Sequence, residues 1–513
     1  MIKIRINNEY KDIVKIFGGG TLQKEIIKVW SREAQEYVYE SSVEYTGSLP
    51  ITINANGDVL LDYRIYGADS GVGEPTENLW NPNTAEKKYI VFDGTISNKQ
   101  TFALNTIPIE AGSTYYFYAL ENYTNNITYW QFQNNNDEIV GGDRLSRNLQ
   151  RASFDAPSGA TKVIICFGNA WDNDKIRDFG VYKRSTAPTS YIPYGYKLPM
   201  TVQSENLFDE STVESGGYID TTSGDFVSHN AWTSSDYIKV TGDYVNLSGK
   251  LIGYLGGWSM IHNFYDSNKS WLGGDNALQG SGTLGKRKSK SYSISGVSYV
   301  RVSYRPVIFD DIMLVKGSTA PTSYIPYSRT DIPIYIGENQ LDSVEGVSDY
   351  VDKSSGKIVR MIGEYTFTGD ESFNKYGGSD VFYTSKTIDP VGITTVNTIT
   401  MRCNHPAFTV IENKDTRYWL NPEADDVCCF LPGGMSQVFL RSTSNFTTAT
   451  ECKAYLKAQY DNGTPVKISY WLKTPVEEDP PVSFPDIPTI EGKTVIDYDG
   501  DPKPSQMYVK YRR

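Results

Sequence analysis

The decapeptide STAPTSYIPY, Ser185 to Tyr194, recurs without a single change at Ser318 to Tyr327, an offset of 133 residues. Identity over ten residues at that distance marks a duplicated unit, and the likeness extends outward from the two copies. Upstream, Glu77-Asn78-Leu79-Trp80 is echoed by Glu205-Asn206-Leu207-Phe208. Between entrance and exit, Asn134 to Gly142 aligns with Asp266 to Gly274, and Asp178 to Val181 aligns with Asp311 to Leu314. A period this long is a whole domain, far above the roughly 20 to 50 residues of a solenoid unit.

Inside each copy the apolar runs are short and rich in β-branched and aromatic residues. Tyr115 to Tyr118, Lys162 to Phe167, Tyr299 to Tyr304 and Ile312 to Val315 are separated by Gly, Asn, Asp and Ser turns. About 120 residues of this kind predict a β-sandwich or jelly roll. The expected fold is therefore all-β and multidomain: two tandem β-sandwich, jelly-roll domains, then a β-rich C-terminal domain with one short helix. The two prolines of each decapeptide cannot donate to a ladder, which places the segment at a sandwich edge. The predicted units are an N-terminal attachment region at 1–76, module 1 at 77–195, module 2 at 196–328, the C-terminal domain at 329–478, and a Pro-rich linker and tail at 479–513.

The helix is expected after Thr448, where Thr448 and Glu451 have capping-box spacing and Asn462-Gly463 ends the pattern. Composition narrows the function. The formal net charge is -12, which supplies no basic field for nucleic acid. No apolar run approaches the ~18 residues of a membrane-spanning helix, so membrane insertion is not expected. The charged start MIKIRINNEYKD does not read as a signal peptide. Five cysteines, Cys166, Cys403, Cys428, Cys429 and Cys452, do not form a disulfide framework, and synthesis in a reducing cytoplasm fits.

Catalytic patterns are missing. His229, His262 and His405 lie in different regions and none sits in a recognised catalytic motif. A pair of carboxylates could act on a glycosidic bond without leaving a local signature, but nothing promotes one acid over another, and the chain is expected not to be an enzyme. Cys403, His405, Cys428 and Cys429 lack the spacing of a zinc site and are read as thiols without metal. Asp497, Asp499 and Asp501 alternate like the opening of a calcium loop but lack its glycine and closing glutamate, so a polar turn is the better reading. No cofactor is expected.

Aromatic side chains carry the functional expectation, because sugar rings stack C–H faces on exposed aromatic planes while amides and carboxylates take their hydroxyls. The repeat acts as a filter. Trp80 matches Phe208 and Trp271 matches Ile139, so these positions read as core; Trp130 matches His262, a change of character that a core would not favour. Trp171, Trp232 and Trp258 sit in turn-rich sequence. Trp130, Trp171, Trp232 and Trp258 are the glycan-binding candidates.

The N-L-F/W-D/N entrances, the APTSYIPY exits, Tyr470 to Glu477 (YWLKTPVE), Pro502 to Tyr511 (PKPSQMYVKY) and Asp62 to Ala68 (DYRIYGA) resemble tail-fibre and baseplate proteins of phages that infect Gram-positive bacteria. The resemblance spans roughly residues 60 to 513. It implies that the two sandwiches are carbohydrate-binding-module-like, and that the chain is a virion protein made in the host cytoplasm, commonly trimeric, that binds host cell-surface polysaccharide through its modules and other tail proteins through its N-terminal region. It also leaves room for calcium in the sandwich modules, with no ligands assigned. A bacterial surface adhesin and a tail polysaccharide depolymerase are the alternative readings.

Overall fold

The computed structural model describes residues 3–6, 9–12, 15–18, 21–27, 41–55, 60–90, 95–98, 102–119, 128–145, 151–168, 175–255, 257–375, 381–387, 401–405, 408–410, 427–430, 437–441, 446–490 and 492–512. The fold is all-β and multidomain, with one α-helix among the described residues.

A central sandwich is assembled from distant parts of the chain. One sheet runs in the order Arg329–Gly337, Tyr196–Gln203, Gly492–Tyr498 and Ile51–Ala55, with Glu74–Pro75 beside Tyr196–Gln203. The other has nine strands, and at its middle Gln506–Arg512 lies between Ser41–Gly47 and Leu60–Tyr66. Alternation decides which face is buried: Leu198, Met200 and Val202, and Ile332, Ile334 and Ile336, point every second side chain into one core. From the facing sheet come Tyr63, Ile65, Val351, Met507 and Val509.

Both sandwich modules are excursions from this body. The chain leaves at Glu74–Pro75 and returns at Tyr196, which pairs with Pro75; it leaves again after Gln203 and returns at Arg329, which pairs with Gln203. Within module 1 the larger sheet runs Phe102–Pro108, Lys162–Gly168, Thr128–Gln133, Ile139–Leu145, and the smaller one centres Thr114–Ala119 between Arg151–Asp155 and Phe179–Lys183. Module 2 repeats this order. Tyr299–Tyr304, Trp258–Tyr265 and Trp271–Gln279 are neighbours in its larger sheet, and Tyr244–Leu251 lies between Arg287–Ser293 and Phe309–Lys316 in its smaller one.

Several expected boundaries need correction. Residues 196–203 belong to the central sandwich, because their alternate side chains complete its core. Residues 479–513 are no loose tail: Gly492–Tyr498 and Gln506–Arg512 are central strands, and the Pro-rich segment buries Phe484 and Ile487 while Tyr63 Oη donates to the Pro485 carbonyl at 3.1 Å. The part of 1–76 from Ser41 onward pairs with those same C-terminal strands and is not a separate region. The strand Lys467–Glu478 is likewise central and is joined at the sheet edge by Met401–Cys403, while Phe367, Phe373, Phe382, Val438, Leu440 and Phe446 build a further core against its Ile468 and Tyr470. There the helix Ala449–Asp461 starts at Thr448 with both capping-box bonds in place and buries Cys452 and Leu456.

The repeated entrance motif has a physical purpose. Asn206 is fully buried; its amide nitrogen donates to the carbonyls of Ile312 (3.2 Å) and Ile325 (3.0 Å), while its oxygen accepts from the backbone N–H of Phe208 and Leu314. Asn78 does the same with Phe179, Ile192, Trp80 and Val181. Each asparagine thus ties its module's entrance, last strand and exit decapeptide into one root.

Candidate functional site

A sandwich offers two broad faces and two ends to a ligand. The outer face of the larger sheet is covered in both modules. In module 1 the hairpin of Lys88–Ile90 and Ile96–Asn98 seals Ile164 and Cys166 with Ile90 and Leu104. In module 2 the strand Glu214–Ile219 lies across the sheet, its Ile219 N–H bonded to Ser303 Oγ and its carbonyl to Asn263 Nδ2, both at 3.1 Å. One end is the root. Because Val245 pairs with Lys316 and Leu251 with Phe309, the opposite end of module 2 lies a full strand away from the root, roughly 25 Å at about 3.3 Å per residue.

That far end is held rigidly by backbone bonds. Ile252 and Gly253 both donate to the carbonyl of Ile308, Leu255 donates to Gly280, Gly280 to Gly257, and Gly285 to Leu251. Gly253 is required there, since a Cβ would stand 2.1 Å from the Val307 carbonyl oxygen. Beneath lie Leu251, Met260 and Ile308, all in the module core.

With the backbone so fixed, apolar side chains have nowhere to go but outward. Tyr254 and Val307 are each 70% exposed, Leu284 57%, Trp258 45% and Ile252 43%. Isolated exposed apolar residues are ordinary; this many at one end of one module make it a candidate contact surface. Trp258 pairs across the sheet with Gln279, which is exposed and whose carbonyl accepts from Lys288 Nζ at 2.9 Å. Directly opposed residues place their Cβ atoms about 4.5–5.5 Å apart, so an aromatic plane and an amide stand side by side. That pairing suits a sugar ring, with stacking from one residue and hydroxyl bonds from the other.

Of the four candidate tryptophans, Trp258 occupies this apex. Trp130 does not face ligand: it is 8% exposed and stacks on Phe154 at 5.8 Å inside the module 1 core. Its counterpart His262 is also core, 1% exposed and pressed between Phe264 and Tyr292 with ring centroids 4.4 and 4.0 Å away. Burial pushes its pKa down to about 4, so the ring enters the core uncharged. Trp232 is 7% exposed, covered by the Arg305 guanidinium at 5.0 Å and by Tyr218. Trp171 lies outside the described residues.

Trp80 and Phe208 are core, 0% and 2% exposed. The other matched pair is not: Ile139 is 53% exposed, and Trp271 is partly buried, lying against Gly224 and donating to Asn263 Oδ1 at 2.9 Å. Tyr254 and Gln279 lie outside a reading confined to tryptophans. The signal available was Gly253-Tyr254-Leu255-Gly256-Gly257-Trp258, apolar residues spaced by glycines that cannot bury them. Among the described residues no group of three or more His, Cys, Asp or Glu side chains is arranged to hold a metal ion. Asp497 and Asp499 are instead ion-paired with Lys503 and Arg329.

No protein-family model matches the chain, and no curated protein matches it. Among solved structures it is similar to the tandem CBM22-1–CBM22-2 domain of Paenibacillus barcinonensis Xyn10C, at 11% identity over 52% of this chain and 100% of that one, with a TM-score of 0.14. A second is the M60 catalytic domain with CBM51-1 and CBM51-2 of Clostridium perfringens ZmpB, at 8% identity, 57% and 43% coverage and a TM-score of 0.12. A third is infectious bursal disease virus Gt strain, at 7% identity, 94% and 83% coverage and a TM-score of 0.13. Scores this low leave the reading of the site to its own geometry.

Proposed function

We propose that this chain is a structural virion protein of a phage tail, part of a tail fibre or baseplate, which attaches to host cell-surface polysaccharide through its sandwich modules. The observation that carries the binding half of this reading is the apex of module 2: an exposed aromatic platform with a cross-strand amide, a strand length away from the body that anchors it. Binding, not catalysis, is its chemistry. A single platform of this kind holds a sugar with a dissociation constant on the order of millimolar, about -4 kcal/mol, so useful attachment needs several copies facing one surface. A homotrimer or a larger symmetric ring supplies them. Contacts to other tail proteins would fall on the central sandwich, into which the N-terminal strands from Ser41 onward are woven.

Immunogold labelling of purified particles tests the virion half. Antibody raised against the chain should mark the tail in projection, and none should mark uninfected cells. Label on uninfected cell walls, with none on particles, would make the chain a bacterial adhesin.

A further inference from the structure

The central body has a concavity of its own. Beside the strand Lys467–Glu478, between the loop at residues 69–71 and Arg402, a cleft of about 750 Å3 opens. This lies within the roughly 300–1,000 Å3 of small-molecule sites, and it sits where structural units meet, which is where such sites concentrate.

Its floor is Arg360 and Asp349, 5% and 3% exposed. Arg360 gives hydrogens to Glu478 (2.9 Å), to the carbonyls of Gln340 (2.7 Å), Ile336 and Asn339 (3.1 Å each), and to Asp349 (3.5 Å), which accounts for all five of its donors. The other two cations of the lining each have one ion-pair partner, Arg402 Nη2 with Asp342 at 2.6 Å and Lys467 with Glu364 at 2.9 Å, while Arg402 Nη1 is left with donors to offer.

This pattern disfavours charged ligands of either sign. Six carboxylates line the cleft against three cations, so an anion meets a repulsive field, and Arg402 Nη1 is the one cationic nitrogen of the lining buried without a hydrogen-bond partner among the described residues. A cation finds most acids neutralised in place, and no metal-ligating group of three is gathered among the described residues. Besides Arg402 Nη1, the rim side chains Asp69, Ser70 and Asn339, all exposed, face the opening without a side-chain hydrogen bond among the described residues. Leu472 and Val476 add an apolar wall. Hydroxyls that both donate and accept, carried on a ring with C–H faces, match such a lining.

We infer that this cleft is a second ligand site, for a neutral polyhydroxylated molecule of short-oligosaccharide size. The inference stands on the cleft alone and does not rest on the apex of module 2.

Saturation-transfer NMR on the full chain tests it, in a Tyr254→Ala, Trp258→Ala background that removes the apex platform. The neutral probes are maltotriose, cellotriose and triacetylchitotriose; tri-galacturonate and the fully deacetylated chitosan trimer are the anionic and cationic controls. At least one neutral trisaccharide should show transfer, and Ser70→Trp or Asn339→Trp, each at an exposed position whose side chain supports nothing in the fold, should weaken its binding about tenfold or more. Transfer from no neutral probe, transfer confined to a charged control, or transfer that survives both tryptophan replacements would overturn the inference. Failure of the apex reading would show differently, as unchanged binding when only Tyr254 and Trp258 are replaced.

Discussion

The side-chain amide of Asn206 donates to the carbonyl of Ile325, 119 residues further along the chain, at 3.0 Å, and Asn78 makes the same bond to Ile192 at 3.0 Å. The bond joins the two most recognisable pieces of each repeat, the entrance and the decapeptide, and explains why both were duplicated together. Replacing Asn206 with Ala would remove the partner of one buried and one part-buried carbonyl and of two buried N–H groups. Each such group costs about 1–3 kcal/mol, so Asn206→Ala should lower the stability of module 2 by about 2 kcal/mol or more in denaturant unfolding. Asn206→Asp should do no better, because a carboxylate cannot donate to Ile312 and Ile325.

His262 gives module 2 an acid limit. Its folded pKa is about 4, below the ordinary histidine value of 6.5, because burial disfavours the charged ring. The unfolded chain therefore binds the proton more readily. Stability is fully present above about pH 6.5 and is lost as pH falls toward 4, by about 3 kcal/mol at 1.36 kcal/mol per pH unit. Thermal unfolding of wild type and His262→Leu between pH 7 and 4 should show a slope that the leucine variant lacks. Equal slopes would place the acid sensitivity elsewhere.

Trp130 tests the core of module 1. Stacked on Phe154 and 8% exposed, it should cost about 3–5 kcal/mol when truncated to Ala, with a clear fall in the unfolding temperature. A Trp130→Ala variant that unfolds normally but fails to bind glycan would return that residue to the ligand-facing set.

Arg360 holds the body together locally. Removing it as Arg360→Met leaves Asp349 buried without its cation, and breaking such a pair costs about 3–5 kcal/mol. Burial already raises the Asp349 pKa, so at neutral pH the variant should unfold earlier than wild type and recover part of the loss as acid protonates that carboxyl. A variant whose stability falls steadily with acid would contradict this.

Local signals in the sequence reached as far as local physics does. The capping box at Thr448 and Glu451 stands where its spacing puts it, and Trp80 and Phe208 are core because matched apolar positions in a duplicated sandwich share an environment. The nested architecture was not legible: Lys493 pairs with Asn54 and Met507 with Gly47 across almost the whole chain, and strand pairing at that range leaves no mark on either stretch. Trp130 was misjudged by assuming that a core position stays apolar, whereas His262 fills the equivalent place by remaining neutral. At the apex Trp258 was visible as an aromatic among glycines. Tyr254 and Gln279 join it only through the loop closure and the strand register.

Adsorption to host cells, measured beside thermal unfolding, bears most directly on the account. Particles carrying Tyr254→Ala and Trp258→Ala should lose most of their adsorption because the defect repeats in every copy, while the purified variant unfolds within a few degrees of wild type, since both side chains stand in solvent. Normal adsorption by that double variant, or loss of adsorption only together with loss of the fold, would contradict the assignment of the module 2 apex as the attachment surface.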